Sequence, residues 1–307
     1  MAHVAPPGPP GLTNWALLLT TSVIWGSAFL GMSVALEGYP PLTVAAGRTG
    51  IGTLVLIALA FALGQMRFEM PDARGLRHLG LTGLVNIAAP FALLTWGLQH
   101  VPSAFAGVTM GAVPIFLLPL VYLFSKEEGI GPRRIGGLIL GLIGLIVLVG
   151  PGAGASTGSD LEWLGRWACL GSAVCYAFGS ILTRRAPAVP PVILAAAMLG
   201  TATIVLTPIA LLFEGVPDFN ATRASAALIY IGVMPTAVAF FLRVYIIRNA
   251  GSIFMSLVSY IVPLWAVLFG IVLLGEKLSA SLFVGLALIL MGIALSEWRN
   301  LVRLKGT

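Results

Sequence analysis

Ten separate apolar runs decide what this 307-residue chain can fold into. They lie near 15–36, 42–64, 78–99, 102–124, 132–150, 161–183, 190–213, 224–247, 250–274 and 280–298. Each reaches the roughly 20 residues that a helix needs to cross a hydrocarbon core. Lipid offers backbone groups no water, so a spanning segment is a helix or one strand of a closed barrel. Barrel strands alternate polar and apolar residues over about ten positions, whereas these runs are continuous. Charge is scarce to match. Only 9% of residues are charged and 58% are apolar, against about 25% charged in a soluble domain. The expected fold class is all-α integral membrane, with ten transmembrane helices.

Basic residues give an orientation. With the N-terminus in the cytoplasm, twelve Lys and Arg residues, from Arg67 to Lys305, fall in cytoplasmic loops and the C-terminal tail. The opposite side holds only Arg223 and Lys277, and Arg48, Arg166 and Arg243 fall within spans. This is a positive-inside bias, and an even number of spans returns both termini to the same side. The net charge of +6 is therefore topology rather than nucleic-acid binding, because the cations are scattered over short loops. The stretch "MAHVAPPGPPGLTN" lacks the basic start of a signal peptide. Residues 1–14 are expected to form a disordered cytoplasmic tail, with a second tail at 299–307, and the protein is expected in the cell (plasma or inner) membrane. Cys169 and Cys175 are six apart in one span and turn to different faces, which predicts no disulfide between them.

The fourth and ninth runs echo each other. "MGAVPIFLLPLVYLFSKE" (110–127) and "SYIVPLWAVLFGIVLLGE" (259–276) share a proline in fifth place and a glutamate in last place. At the same offset of 149, Ser103, Phe105 and Gly136 recur as Ser252, Phe254 and Gly285. Pro90 and Ala92 recur as Pro235 and Ala237, and Trp25-Gly26 as Tyr176-Ala177. Each half, 15–150 and 161–298, then holds five spans. Five is odd, so the second half enters the membrane from the opposite side. Inverted repeats of this kind are an architecture of secondary transporters, which bind cargo near the midplane where the repeats meet. Glu127 is expected at the cytoplasmic face and Glu276 at the outer face.

Together with "IWGSAF" (24–29), "GRTG" (47–50), "LGEKLS" (274–279) and a glycine-rich tenth span, this pattern resembles the drug/metabolite transporter superfamily, in particular its EamA-type exporters. The resemblance covers nearly the whole chain. It implies a basket-like fold around a central cavity and export of small metabolites or amino acids, aromatic ones among them. "FSKEEGIGP" departs from the pattern, with Lys126 where the second half has Gly275.

Several residues are candidates for cargo contact. Pro114 and Pro263 sit near the middle of their spans. Each removes a helix hydrogen bond and frees the carbonyl four residues back, that of Met110 or Ser259. Such breaks survive where they face protein or a water-filled cavity, so both prolines are read as cavity lining and hinge, against a tolerated kink between packed helices. Arg243 is a cation within a span and a candidate for an anionic group, against snorkelling toward the cytoplasm beside Arg248. Arg48 lies deeper, yet snorkelling or a pair with Glu37 explains it equally well. Arg166 is assigned to the interface. Trp25, Ser27, Asn86, Trp96, Thr109, Tyr176, Ser180, Ser259 and Tyr260 complete an apolar pocket with aromatics and hydroxyls. Trp25 and Tyr176 stand out because they echo between halves. Asn86 is the amide deep in a span, with a bond across helices as its alternative role.

No Asp or Glu lies in the middle of any span. Ion coupling normally uses such a carboxylate, and the small four-helix multidrug exporters of the resembled superfamily carry one in their first span. "LLLTTSVIWGSAFLGMSV" has none. The expected function is an alternating-access exporter of small neutral metabolites, foremost aromatic or other apolar amino acids, working by facilitated diffusion or exchange. The alternatives are proton-coupled export of other metabolites or drugs such as purines, and a non-carrier channel. Zinc-hydrolase and nucleophile-elbow motifs are missing from the sequence, so no enzyme, cofactor or metal is expected. The expected partners are the small-molecule cargo and membrane lipid, with no nucleic acid. Gly107/Gly111, Gly137/Gly141 and the Gly171/Cys175/Gly179 stripe are expected to bring helices close together. Internal packing through them gives a monomer; a seam along spans five and ten gives a dimer.

Overall fold

The computed structural model describes residues 11–67, 69, 71–124, 132–149, 157–187, 189–219, 223–296 and 298. Among them all regular structure is helical. Spans one and two are Leu12–Ala35 and Pro41–Ala62. Span three, Ala73–Gly97, widens from α to π geometry over Leu84–Ala88. Span four is Ser103–Met110 and, after a two-residue turn, Val113–Phe124. Spans five, six and seven are Pro132–Val149, Glu162–Arg184 and Pro191–Phe213. Span eight starts at Arg223, passes through a second π segment, Gly232–Val238, and continues as Ala239–Ser256. Val258–Leu274 and Ala280–Ser296 are spans nine and ten.

The packing repeats itself between the halves. Span one lies against spans eight and nine, and span six lies against their counterparts, three and four. Span two packs on seven and eight, and span seven on two and three. Spans two, four and five each pack on their own counterparts, seven, nine and ten. A pattern unchanged by exchanging each span with the one five later is what a two-fold axis between the halves produces.

Two carboxylates fix the direction of that axis. Glu214, just past span seven, accepts the backbone N–H groups of Leu42 (2.8 Å) and Thr43 (2.7 Å) and the Thr43 hydroxyl (2.8 Å). Glu276, just past span nine, accepts the backbone N–H groups of Ser103 (2.6 Å) and Ala104 (3.1 Å). The first amides of a helix lack internal partners and carry its positive end, so each carboxylate stabilises the start of another helix. The end of span seven therefore meets the start of span two, and the end of span nine meets the start of span four. Equivalent spans run antiparallel, and the halves are inverted. Gly275, with φ of 65°, turns the chain back after span nine. Gly270 leaves room for the carboxylate, since a Cβ there would collide with Glu276 Oε2. Glu127, the expected counterpart, lies outside the described residues.

Glycines set the closest approaches. A Cβ on Gly144 would stand 2.8 Å from the backbone nitrogen of Ile289, and one on Gly292 would stand 2.5 Å from the Gly137 carbonyl oxygen. The glycine seam of spans five and ten is thus used between those two helices of one chain. Gly107 faces Ala266, and Gly179 faces Asn86, with no space for a side chain.

Two expectations fail at the helix breaks. The boundary between spans eight and nine was expected near 248–249, but helix continues to Ser256 and the turn falls at Leu257. The first half has Pro102 before span four, which forces a break; at the same offset the second half has Gly251, which a helix tolerates. Pro114 is not in mid-helix either. The chain breaks at Gly111 and Ala112, and Pro114 is the second residue of the new helix, where a missing N–H costs nothing. Pro263 does lie inside its helix. A Cβ on Gly111 would stand 3.0 Å from Pro263 Cγ, so the break of span four packs on the proline of span nine.

Glu276→Ala leaves two amides at the start of span four without their acceptor. It should lower stability by about 1–2 kcal/mol, read as a fall in Tm of the detergent-purified protein. Gly270→Ala keeps the carboxylate but displaces it and should cost a similar amount. Two unchanged Tm values would remove Glu276 from this role.

Candidate functional site

The site is built from the bulge of span eight, "GVMPTAV". Pro235 has no N–H to give to the carbonyl of Ile231. Thr236 supplies the missing donor, and its hydroxyl reaches Ile231 O at 2.7 Å. The backbone follows into the wider π turn, a feature that often marks functional sites. Two acceptors then point away from the helix. Thr236 Oγ1 accepts the Nε–H of Arg48 in span two at 2.7 Å. Pro235 O accepts the indole N–H of Trp25 in span one at 3.1 Å. One bulge ties together three spans from both halves. Small residues permit the approach: a Cβ on Gly52 would stand 2.7 Å from Thr236 Cγ2, and one on Gly232 would stand 2.7 Å from Ile51 Cβ.

Arg48 is the central charge. It is 5% exposed. Its Nη1 points to Met32 Sδ at 3.2 Å, and its guanidinium lies over the Phe91 ring at 3.9 Å from the centroid. Neither sequence explanation holds. A snorkelling side chain would reach water, and Glu37 is exposed at the helix end rather than paired. Among the described residues no carboxylate pairs with Arg48. Burying a charge without a counter-ion is expensive, and here one hydroxyl, one sulfur and one ring face offset only part of that cost. Arginine has five N–H donors in a planar fork. Two are used by Thr236 and Met32, and the others have no protein acceptor among the described residues. A free fork of this kind matches a carboxylate in two-point fashion.

The sequence candidates divide around this centre. Trp25 belongs to it directly. Tyr176 packs on the apolar cluster that contains Phe91. Arg243 is half-buried over the ring of Phe240, 5.5 Å from its centroid, and Phe240 packs on the same cluster. Ser27 is buried two residues beyond Trp25 in span one, bonded to Ile24 O at 2.8 Å and to the Tyr230 hydroxyl at 2.6 Å. Asn86 sits in the other bulge, of span three, against Gly179 of span six, and donates to Thr183 Oγ1 at 3.3 Å. It makes the cross-helix bond. Thr109 and Ser180 are satisfied within their own helices, by Phe105 O at 2.9 Å and Tyr176 O at 2.7 Å. Trp96 is at the end of span three, edge-on to His100 with ring centroids 4.7 Å apart. Pro114 and Pro263 belong to the breaks of spans four and nine. The side chains of Ser259 and Tyr260 lie outside the described residues. Arg166 pairs with Glu162 on its own helix.

Sequence reasoning passed over Thr236 and Phe91 and left Arg48 outside the pocket. "GRTG" and "MPTA" carry the signal, a cation in one span and a proline followed by a hydroxyl in another. Only the fold shows that they touch.

Ten helices in two inverted halves, with a buried guanidinium between them, define a multi-pass membrane transporter. The EamA-like transporter family matches twice, over residues 14–150 and 163–298, and the chain belongs to that family. It is 30% identical to a probable terminal-alkyne amino-acid exporter of Streptantibioticus cattleyicolor, over 94% of each chain. It is 28% identical to the uncharacterised inner membrane transporter YedA of Escherichia coli, over 92% of this chain and 90% of that one. A solved crystal structure superposes with a TM-score of 0.67 at 23% identity, covering 94% of this chain and 97% of the other, and so shares the fold.

Thr236→Val removes both the donor to Ile231 O and the acceptor for Arg48. It should cost about 1–3 kcal/mol, seen as a lowered Tm, while Thr236→Ser keeps both bonds and stays near wild type. Equal Tm values for the two variants would contradict the bridging role of the hydroxyl.

Proposed function

We propose that this transporter exports small apolar, carboxylate-bearing metabolites, foremost amino acids, by alternating access, with the cargo carboxylate held on Arg48. The observation that carries this reading is the buried guanidinium with spare donors and no carboxylate partner among the described residues. Phe91, Tyr176 and Trp25 give it an aromatic, apolar surround that suits an aliphatic or aromatic side chain. The amino-acid exporter among its relatives supports the same cargo class. The mid-span stretches have no Asp or Glu, which supports facilitated diffusion or exchange over carboxylate-coupled antiport. Transport changes no bond in the cargo, so the protein is no enzyme in this reading.

The two five-helix halves, 15–150 and 161–298, are the moving bodies. The basic loops put both termini in the cytoplasm, so Glu214 and Glu276 close the outer face. Spans one, two and eight meet at the bulge, where a bound carboxylate replaces the counter-ion that Arg48 lacks.

Counterflow in proteoliposomes with labelled phenylalanine and a panel of other amino acids and purines tests this. Flux should saturate and discriminate enantiomers. Arg48→Ala should lower kcat/KM by about ten- to a hundredfold, the worth of a charge-assisted hydrogen bond, and Arg48→Lys should retain part of it. Flux that does not saturate means a channel. Loss of all concentrative flux on adding an uncoupler means proton coupling, and full activity in Arg48→Ala removes the anchor.

A further inference from the structure

Tyr176 is the echo of Trp25 in the second half, and the two polar tips are used differently. The Trp25 indole N–H is bonded to Pro235 O at 3.1 Å. The Tyr176 hydroxyl has no hydrogen-bond partner among the described residues. Its ring packs on the cluster that contains Phe91, whose face the Arg48 guanidinium covers at 3.9 Å from the centroid. The hydroxyl lies within electrostatic reach of that guanidinium. Arg48 itself bonds through Nε and Nη1 and leaves Nη2 without an acceptor among the described residues. Tyrosine hydroxyls and other polar groups inside proteins usually find a partner. Among the described residues, the buried side-chain atoms that lack one are Gln65 Oε1, Ser103 Oγ, Ser172 Oγ and Trp265 Nε1. Neither Arg48 Nη2 nor Tyr176 Oη is in that set, so both unpaired donors border open space rather than being sealed in the core.

Resting on Arg48 as the carboxylate anchor, we infer that Tyr176 is a specificity-determining residue, its hydroxyl donating a second hydrogen bond to the cargo carboxylate. Water can satisfy either donor but leaves the guanidinium without a counter-charge. A carboxylate has two oxygens and accepts from both groups, and hydrogen bonds to an ionised acceptor are the strong ones. The guanidinium draws the negative group of the cargo to its side of the open space, so the carboxylate is what the hydroxyl meets. Arg48 belongs to the first half and Tyr176 to the second, and the carboxylate is held from both.

Tyr176→Phe tests this, because it removes one oxygen and keeps the ring in its cluster. Its Tm should match wild type, since the hydroxyl has no bond within the protein to lose, in contrast with Thr236→Val. In the full-length protein in liposomes, kcat/KM for labelled phenylalanine should fall about tenfold, the worth of a hydrogen bond to a charged group. 3-Phenylpropionate keeps the carboxylate and lacks the ammonium. Its potency in competing with phenylalanine counterflow should fall by the same factor. A loss confined to phenylalanine would assign the hydroxyl to the ammonium and overturn the inference, as would 3-phenylpropionate that fails to compete in the wild type. A Tm that falls along with the flux would place the hydroxyl in a bond within the protein and overturn it too. Full phenylalanine flux in Tyr176→Phe with loss in Arg48→Ala strikes the second donor and leaves the anchor standing. Full flux in both variants removes the anchor as well.

Discussion

A guanidinium inside a membrane protein has to be given partners, and Arg48 organises this one around that need. Its Nε–H goes to Thr236, its Nη1 to Met32 and its face to Phe91. These contacts come from spans eight, one and three, so the charge draws together helices from both halves. The hydroxyl that accepts it is in place only because Pro235 has withdrawn an N–H from Ile231. The proline, the bulge and the arginine are therefore one arrangement. Removing the Thr236 hydroxyl that joins them leaves both the Ile231 carbonyl and the Arg48 Nε–H without that bond.

The two-fold axis supplies the scaffold, and the buried charge sits where that symmetry is locally broken. Both halves place a π segment in their third helix, at Leu84–Ala88 and Gly232–Val238. One holds Asn86 against span six and the other holds Thr236 against span two. The partner helices differ as well. Where span two carries Arg48, the corresponding part of span seven reads Ala197-Met198-Leu199, with no charge. Trp25 bonds the bulge carbonyl directly, while its echo Tyr176 packs on the apolar cluster. A perfectly symmetric pair would put two cations near the midplane at twice the desolvation cost. One arginine, placed to one side, carries that cost once.

The membrane fold was legible in the sequence because bilayer thickness imposes run length, and the inverted halves were legible because proline and glutamate recur at one offset. Helix breaks were less so. Pro114 and Pro263 look equivalent on paper, but one sits at a helix start and the other within a helix, because the turn before span four falls at Gly111 and that before span nine at Leu257. A further echo went unused. "PP" opens spans two and seven at Pro40-Pro41 and Pro190-Pro191, and glycines of positive φ, Gly64 and Gly215, follow them. The candidate site was least legible, since burial and partners decide it. Thr109 and Arg48 are both polar residues inside apolar runs. Thr109 is satisfied by its own helix, while Arg48 cannot be, and only tertiary contacts separate the two.

The ties between the halves are of two physical kinds. At the helix ends, Glu214 and Glu276 bond amides that water could bond instead, so parting them exchanges one solvated partner for another. At the bulge, the partners of Arg48 are a buried hydroxyl, a thioether and a ring, none of them charged. Parting these without a substitute leaves a cation unpaired in low dielectric, at far greater cost. The end ties can therefore open and close with the solvent, but the central tie yields readily only to a group that brings negative charge. In the proposed cycle the cargo carboxylate would be that group, since the mid-span stretches of the sequence hold no Asp or Glu.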